Sequence, residues 1–501
     1  MSHINAQTSA PLRHPDKFFI NGEWVAPHAT RRLDVIAPAT EELYVSVAEA
    51  DETDINRAVA AARAAFDTGP WPRLSHAERA VYLKAIAKRL DERAPDIART
   101  WPNEMGITYS LSQVYAASVS GLYKYYAGLA SRYPFEEEHR TFSGAKQALL
   151  VHEPVGVVGA IIPWNGPISL IAFKAAPALL AGCTVVIKSS PEAPCAGLLM
   201  AEIAEEVGLP PGVFNVVTAD REASEALVRH PGIDKISFTG STAAGSRIAS
   251  MLGGRMARYT MELGGKSAAI VLDDYDIATA AEVLAHEERS MTGQVCASIT
   301  RVIVSRHRHD QMLEALSATF GKTKVGDPFA PETEMGPLAS RRQRERVEGY
   351  IAKARAEGFT LGTGGGRPAH LPRGFYVEPT VFGHVSNQSV IAREEIFGPV
   401  LVVIPADSEA QAIELANDSP FGLNGCVFTN DVDRAYQIAR RVRSGTFGHN
   451  GVLTDFSIAF GGFKQSGVGR EGGIEGLRPY LESKTVLLGG IPSHRIKREE
   501  A

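Results

Sequence analysis

Apolar residues fall into two alternating series, preceded by a helical stretch and flanked by extended segments. Residues 51–132 set many alanines among charges at helical spacing, which predicts helices. From Pro154 to Gly264 the pattern alternates. Residues 155–162 read as a strand, 170–180 as a helix, 184–187 as a strand and 196–207 as a helix, and 235–239 begin another strand. A second alternating series runs from Ser267 to about Phe447. Such alternation predicts parallel βαβ units joined by right-handed crossovers. Ahead of both series, Phe18-Phe-Ile-Asn-Gly-Glu-Trp-Val25 sets Asn21-Gly22 between β-rich flanks, a hairpin signal. Residues 133–153 and those beyond Glu482 read as extended, and 326–331 and 362–368 as surface loops. The longest apolar stretch, 169–187, is interrupted by Lys174 and Pro177, so it predicts a buried helix passing into a strand and no membrane span.

At 501 residues the chain exceeds what one hydrophobic core serves, so two or three domains are expected. A hydrophobic content of 44% with 22% charged residues places it among globular proteins. The net charge of −5 and the lack of a long basic run argue against a nucleic-acid partner. Four cysteines are too few for a disulfide framework and predict reduced thiols in a cytoplasmic protein. The first 17 residues are polar and carry no secretory pattern.

Candidate chemistry concentrates in Glu262-Leu-Gly-Gly-Lys266 and Gly293-Gln-Val-Cys296. The first offers a carboxylate, the second a sulfur nucleophile, each on backbone that glycine permits. A cysteine needs an activating environment to become a thiolate, and a base is one such partner. Taken alone, a single cysteine is more often a small core hydrophobe. Gly467-Val-Gly-Arg-Glu-Gly472 satisfies a dinucleotide-binding pattern, but no strand immediately precedes it and no acid follows at ribose distance, so it reads as a loop. Phe238-Thr-Gly-Ser-Thr-Ala-Ala-Gly245 fits better. It follows a short strand and opens a helix, so Gly240 allows the sharp turn and Ser241 with free N–H groups can hold a pyrophosphate. An ordinary capped helix would read the same way.

Together with Pro163-Trp-Asn165 upstream and Glu394-Glu-Ile-Phe-Gly-Pro399 downstream, these motifs resemble the aldehyde dehydrogenase superfamily, over residues 18–486. The resemblance implies an α/β fold: a Rossmann-like cofactor domain (1–131 and 154–263), a catalytic domain (264–479) and a small β oligomerisation extension (132–153 and 480–501). It also implies a homodimer or homotetramer. The implied catalytic residues are Cys296 as nucleophile, Glu262 as water-activating base and Asn165 as oxyanion donor. Lys174 and Glu471 match a pair proposed to relay protons, and read equally as a buried ion pair. Around the cofactor the resemblance implies Ile161, Pro163, Trp164, Lys188, Gly240, Ser241, Leu263, Glu395 and Phe397. Glu394, Lys266, Phe238, Gly264 and Gly265 are expected to be structural, and Cys183, Cys195 and Cys426 inert.

The implied cofactor is NAD, with NADP open. The ribose-binding acid common in the family would fall at Pro191, and Glu192 lies one residue later. The implied substrate pocket comprises Gly166, Leu170, Phe173, Ser290, Phe460 and the 452–458 loop. Its small and apolar residues favour a bulky hydrophobic or aromatic aldehyde, unless Arg289 points inward as an anchor for an acidic semialdehyde. Acyl transfer to coenzyme A and a non-catalytic protein on the same scaffold are the competing readings. No metal site is evident: His307, His309 and His286 read as parts of solvated faces. Ser298 stands where a smaller or an amide residue is commoner in the family.

Overall fold

A computed structural model describes residues 9–495. Its largest sheet has eight strands, in the order Gly467–Val468, Arg258–Glu262, Lys235–Thr239, Val157–Ile161, Thr184–Ser189, Phe214–Thr218, Phe18–Ile20, Glu23–Val25. The strands from Arg258–Glu262 to Phe214–Thr218 run parallel. The four inner ones are buried at every residue. Helices pack on both faces and form two separate apolar clusters with the sheet. A sheet covered on both sides needs apolar residues throughout, which is why these segments read as continuous runs.

Local signals set the helix limits. Helix Pro167–Ala181 starts with Pro167, whose missing N–H is not needed in a first turn, and stops at Gly182 with φ 102°. Residues 51–132 resolve into helices Glu52–Asp67, His76–Met105 and Tyr109–Leu129. The longest is opened by a Ser75/Glu78 capping box.

The Asn21-Gly22 hairpin forms as expected, with φ of 57° and 79° in its turn and Phe18 opposite Val25. Its placement was not legible. Phe19 pairs antiparallel with Val216, so the hairpin covers one edge of the parallel sheet. Gly467–Val468 pairs antiparallel with Met261 and Glu262 at the other edge. The segment read as a loop therefore supplies a short strand. Gly467 is required there: at φ 155°, a Cβ would sit 2.3 Å from the Met261 carbonyl oxygen.

A second, seven-stranded sheet has the order Thr360–Thr363, Thr380–Gly383, Val400–Ala406, Ile299–Ser305, Ser267–Val271, Gly425–Phe428, Gly448–His449. All its pairings are parallel except the first. The punctuation at 362–368 thus begins inside a strand. A third sheet joins Leu481–Leu488, Gln147–Pro154 and Glu136–His139 antiparallel, leaving Phe142 at its hairpin tip fully exposed. Among the described residues, no helix is long and apolar enough to cross a membrane.

Candidate active site

Strand Arg258–Glu262 ends the first sheet's run, and Leu263-Gly264-Gly265-Lys266 carries the chain into strand Ser267–Val271 of the second. This crossing runs beside a cavity of about 1820 Å³. Its wall includes Cys296, Asn165 and Glu471. It also includes Ile161, Pro163, Trp164, Lys188, Gly240, Ser241, Leu263, Glu395 and Phe397, together with Gly166, Leu170, Phe173, Ser290 and Phe460. Glu262 and Lys174 lie behind the wall. Glu262 is 2% exposed, and Gly461 shields it so closely that a Cβ there would come within 2.5 Å of Oε1. Neither Glu262 oxygen has a hydrogen-bond partner. Lys174 is fully buried and donates to Thr239 Oγ1 at 2.8 Å and to the Glu471 carboxylate.

Cys296, the candidate nucleophile, follows a stretch of unusual backbone. After helix Ile277–Arg289, Met291, Thr292 and Gly293 all take positive φ, at 50°, 59° and 68°. Such a run is costly for side-chain-bearing residues and persists only when the surroundings hold it. Gln294 does so: its amide donates to the Met291 carbonyl at 3.1 Å and its Oε1 accepts from Ala339 N–H at 2.9 Å. Asn165 Nδ2 donates to the Gln294 carbonyl at 3.1 Å, and Trp101 Nε1 donates to the Asn165 carbonyl at 3.0 Å. A carboxamide has two N–H donors, so one remains for a ligand in the cavity.

Electrostatics hold the resting site protonated. Burial pushes the Cys296 thiol up to about 12, and the carboxyls of Glu395 and Glu262 add to the rise. Burial also raises Glu262 well above the usual carboxylate range, with Glu471 reinforcing and Lys174 and Arg470 opposing. The carboxyl neighbours therefore disfavour a thiolate at rest instead of activating it, contrary to the simplest expectation from the sequence.

The cleft fits a dinucleotide. Ser241 caps helix Thr242–Gly253, its Oγ accepting from Ala244 N–H at 3.3 Å, and the neighbouring N–H groups face the cavity end. Gly245 lets the helix approach the crossing segment, since a Cβ there would lie 2.4 Å from Leu263. Trp164 and Phe397 meet edge to face at 5.3 Å, and Glu395 Oε1 accepts from Gly265 N–H at 3.1 Å. Lys188 is buried rather than solvated, which lowers its ammonium to about 8 against the opposing charges of Glu192 and Asp220. Lys188 Nζ donates to the Ala219 carbonyl at 3.4 Å, and Glu192, one residue later than the family's ribose-binding acid, acts on it through charge alone. It accepts from the Ser190 hydroxyl and pairs with Arg342 across the cleft at 2.8 Å.

Sequence reasoning missed Arg342, and also Gln343, whose amide donates to the Phe397 carbonyl at 2.6 Å. Both open helix Arg341–Ala356, which carries no recognisable motif. It also missed Trp101 and Tyr115, which line the cavity from the N-terminal helices.

The substrate end is apolar. Phe173 and Phe456 approach to 4.4 Å between ring centres, and Phe456 and Phe460 to 5.1 Å. Arg289 is absent from the wall and pairs with Glu334 at 3.0 Å. Two histidine-cluster readings need correction. Glu288, two residues after the exposed His286, is fully buried, and so is His309. His309 and His384 bracket Asp310, with potential ligand atoms within 4.8 Å of one another. His384 N–H donates to His309 Nε2 at 2.9 Å, which leaves the ring proton on Nδ1 facing Asp310. That is a hydrogen-bonded trio, and its Nδ1 is not free to bind a metal.

A sulfur and an amide donor in the wall of a cleft that fits a dinucleotide are the parts a nicotinamide-dependent oxidoreductase needs. The model of the Aldehyde dehydrogenase family matches residues 24–486, and the chain belongs to that family. It is 44% identical over 473 residues to a geranial dehydrogenase from Castellaniella defragrans, covering 94% of this chain and 98% of that protein. The Mycobacterium tuberculosis aldehyde dehydrogenase complexed with NAD+ is 43% identical with a TM-score of 0.92, over 95% of this chain and 98% of the other. A Pseudomonas syringae aldehyde dehydrogenase mutant, in complex with NAD+ and octanal, is 38% identical with a TM-score of 0.92, over 96% and 99%. The protein is a nicotinamide-dependent aldehyde dehydrogenase, oxidising an aldehyde to the acid.

Proposed function

We propose that this enzyme oxidises bulky hydrophobic aldehydes with NAD, using Cys296 as nucleophile, Asn165 as oxyanion donor and Glu262 as base. Bound NAD supplies the two-electron oxidation by accepting hydride from the substrate carbon. The chain's own residues do the rest. Cys296 loses its thiol proton to water in the cleft, its Sγ adds to the carbonyl carbon, and the free N–H of Asn165 Nδ2 with the Cys296 backbone N–H receives the oxyanion of the resulting thiohemiacetal. After oxidation the same sulfur holds an acyl group as a thioester. Glu262, once deprotonated, takes a proton from water as that water adds to the thioester carbon. Collapse expels the sulfur and releases the carboxylic acid. Lys174, behind the wall, and Glu471, in it, set the charge around Glu262.

The observation that carries this reading is the tether from Asn165 Nδ2 to the Gln294 carbonyl, two residues before Cys296, within the field of Glu262. NAD is favoured over NADP because Glu192 lines the same cavity as Lys188, where a carboxylate would repel a 2′-phosphate. The paired Arg289 and the phenylalanine wall support a hydrophobic substrate over an acidic semialdehyde. Hydrolysis is favoured over transfer to coenzyme A by the retained Glu262. The exposed three-stranded sheet suits assembly into a dimer or tetramer, and four free cysteines suit a reducing cytoplasm. A kcat/KM panel tests the substrate class: long-chain and aromatic aldehydes should exceed succinic semialdehyde, and the reverse order refutes it. NADH formation unaffected by coenzyme A is the result expected of a hydrolytic enzyme.

A further inference from the structure

Behind the nucleophile turn lies a polar cluster that the proposed chemistry does not use. Glu288, in the last turn of helix Ile277–Arg289, is 1% exposed, and neither carboxyl oxygen makes a hydrogen bond of ordinary length. Its Oε1 sits against Gly293, where a Cβ would be 2.7 Å from it and 2.6 Å from the Gly398 carbonyl. The carboxyl therefore occupies the seam between the turn that carries Cys296 and the segment that carries Glu395 and Phe397. The Ser298 hydroxyl and the Lys266 ammonium act on it electrostatically, while the neighbouring Val400 N–H donates to the Gly398 carbonyl at 2.7 Å. Lys266 is itself 2% exposed, with no hydrogen-bond partner at Nζ.

Each of these groups belongs to a motif segment. Ser298 follows Cys296 by two residues, Val400 opens the strand after Gly398, and Lys266 ends the segment that begins at Glu262. Burial favours the neutral form of both groups, raising the Glu288 carboxyl well above the usual range and lowering the Lys266 ammonium to about 7, so each depends on its polar neighbours in this seam. The cluster thus couples three segments that each hold a different part of the site. It also gives Ser298 an account that its sequence position did not.

We propose that Glu288 is a positioning residue: with Ser298 and Lys266 it braces the 293–298 turn against the 394–400 segment, holding the Cys296 sulfur in register with the cofactor-facing side chains. The inference rests on Cys296 being the nucleophile. The test uses the full-length enzyme and the variants Ser298→Ala, Ser298→Thr and Glu288→Gln, with Cys296→Ala as a separate control. Steady-state kinetics are measured alongside the rate of Cys296 alkylation by iodoacetamide, with and without NAD. Ser298→Ala and Glu288→Gln should lose about fivefold or more in kcat, keep KM for NAD within about twofold, and lose the effect of NAD on alkylation. Ser298→Thr, which keeps the hydroxyl, should restore most of the rate. If Glu288→Gln fails to fold, the two Ser298 variants carry the test. A kcat within about twofold of the parent in Ser298→Ala overturns the proposal even if thermal stability falls, and so does a loss that Ser298→Thr does not restore. Turnover surviving in Cys296→Ala would instead refute the nucleophile itself, a separate failure.

Discussion

Replacing Glu471 with Gln should move the acid limb of the pH–kcat profile to lower pH. The acid limb reports Glu262, whose carboxyl must lose its proton before it can activate water. Turnover therefore rises as pH passes upward through the Glu262 pKa. Burial raises that pKa, and the Glu471 charge raises it further. Glu471 lines the cavity wall, bridged to Phe460 beside Gly461, the residue that covers Glu262. A like charge beside a buried carboxyl favours its neutral form, so removing the Glu471 charge lets Glu262 ionise at lower pH. Loss of the Glu471 charge also leaves Lys174 unpaired, which pushes in the same direction. A downward displacement of the limb is expected, so activity on the acid side should rise relative to the plateau.

Lys174→Met should do the opposite, because it removes the cation that opposes the rise and frees the Glu471 charge. Both changes break a buried ion pair, at a cost of about 3–5 kcal/mol, so the profiles belong at temperatures below each variant's measured Tm. The assay is kcat for NADH formation across pH with saturating aldehyde and NAD. A uniform loss of rate in both variants, with the limb unmoved, would refute the electrostatic argument and favour proton relay through the pair.

Cys296→Ala should abolish oxidation while leaving the NAD dissociation constant, measured by fluorescence titration, within about threefold of the parent. Asn165→Ala should lower kcat by roughly a hundredfold, about 3 kcal/mol, with KM little changed, as seen in initial-rate kinetics. Glu192→Gln should narrow the preference for NAD over NADP by about tenfold, or about 1.4 kcal/mol, in the ratio of kcat/KM values. An unchanged ratio would place the adenine ribose away from this carboxylate. Iodoacetamide alkylation of Cys296 in the absence of NAD should be slow at neutral pH and accelerate towards high pH, because the thiol is held near 12.

What could be read in the sequence follows from the range of the forces involved. Strand Val157–Ile161 and helix Pro167–Ala181 were legible because their signals are local: an apolar run, a proline at the start, a glycine at the stop. The motif residues were legible because Gly-rich turns mark themselves. Three features were not legible, and each depends on contacts distant along the chain. Glu262 lies behind the cavity wall only because Gly461 returns across it from some 200 residues away. Arg289 turns from the pocket because Glu334, on another segment, offers it a partner. Glu288 reads as a solvated acid beside His286, yet it is buried, because the 394–400 segment closes over it.

The same reasoning explains why the site rests in its protonated state. Burial around the cavity floor penalises every charge the proposed mechanism later needs. The Cys296 thiol, pushed up to about 12 although its side chain is only half buried, and the raised Glu262 carboxyl both follow from desolvation with carboxyls on more than one side. On the proposed mechanism Cys296 ionises poorly in the free enzyme, and bound NAD, whose nicotinamide ring is cationic, would favour its thiolate. Sulfur reactivity would then follow cofactor occupancy, with the carboxyls around Cys296 setting how strongly, a dependence that alkylation rates with and without NAD measure directly.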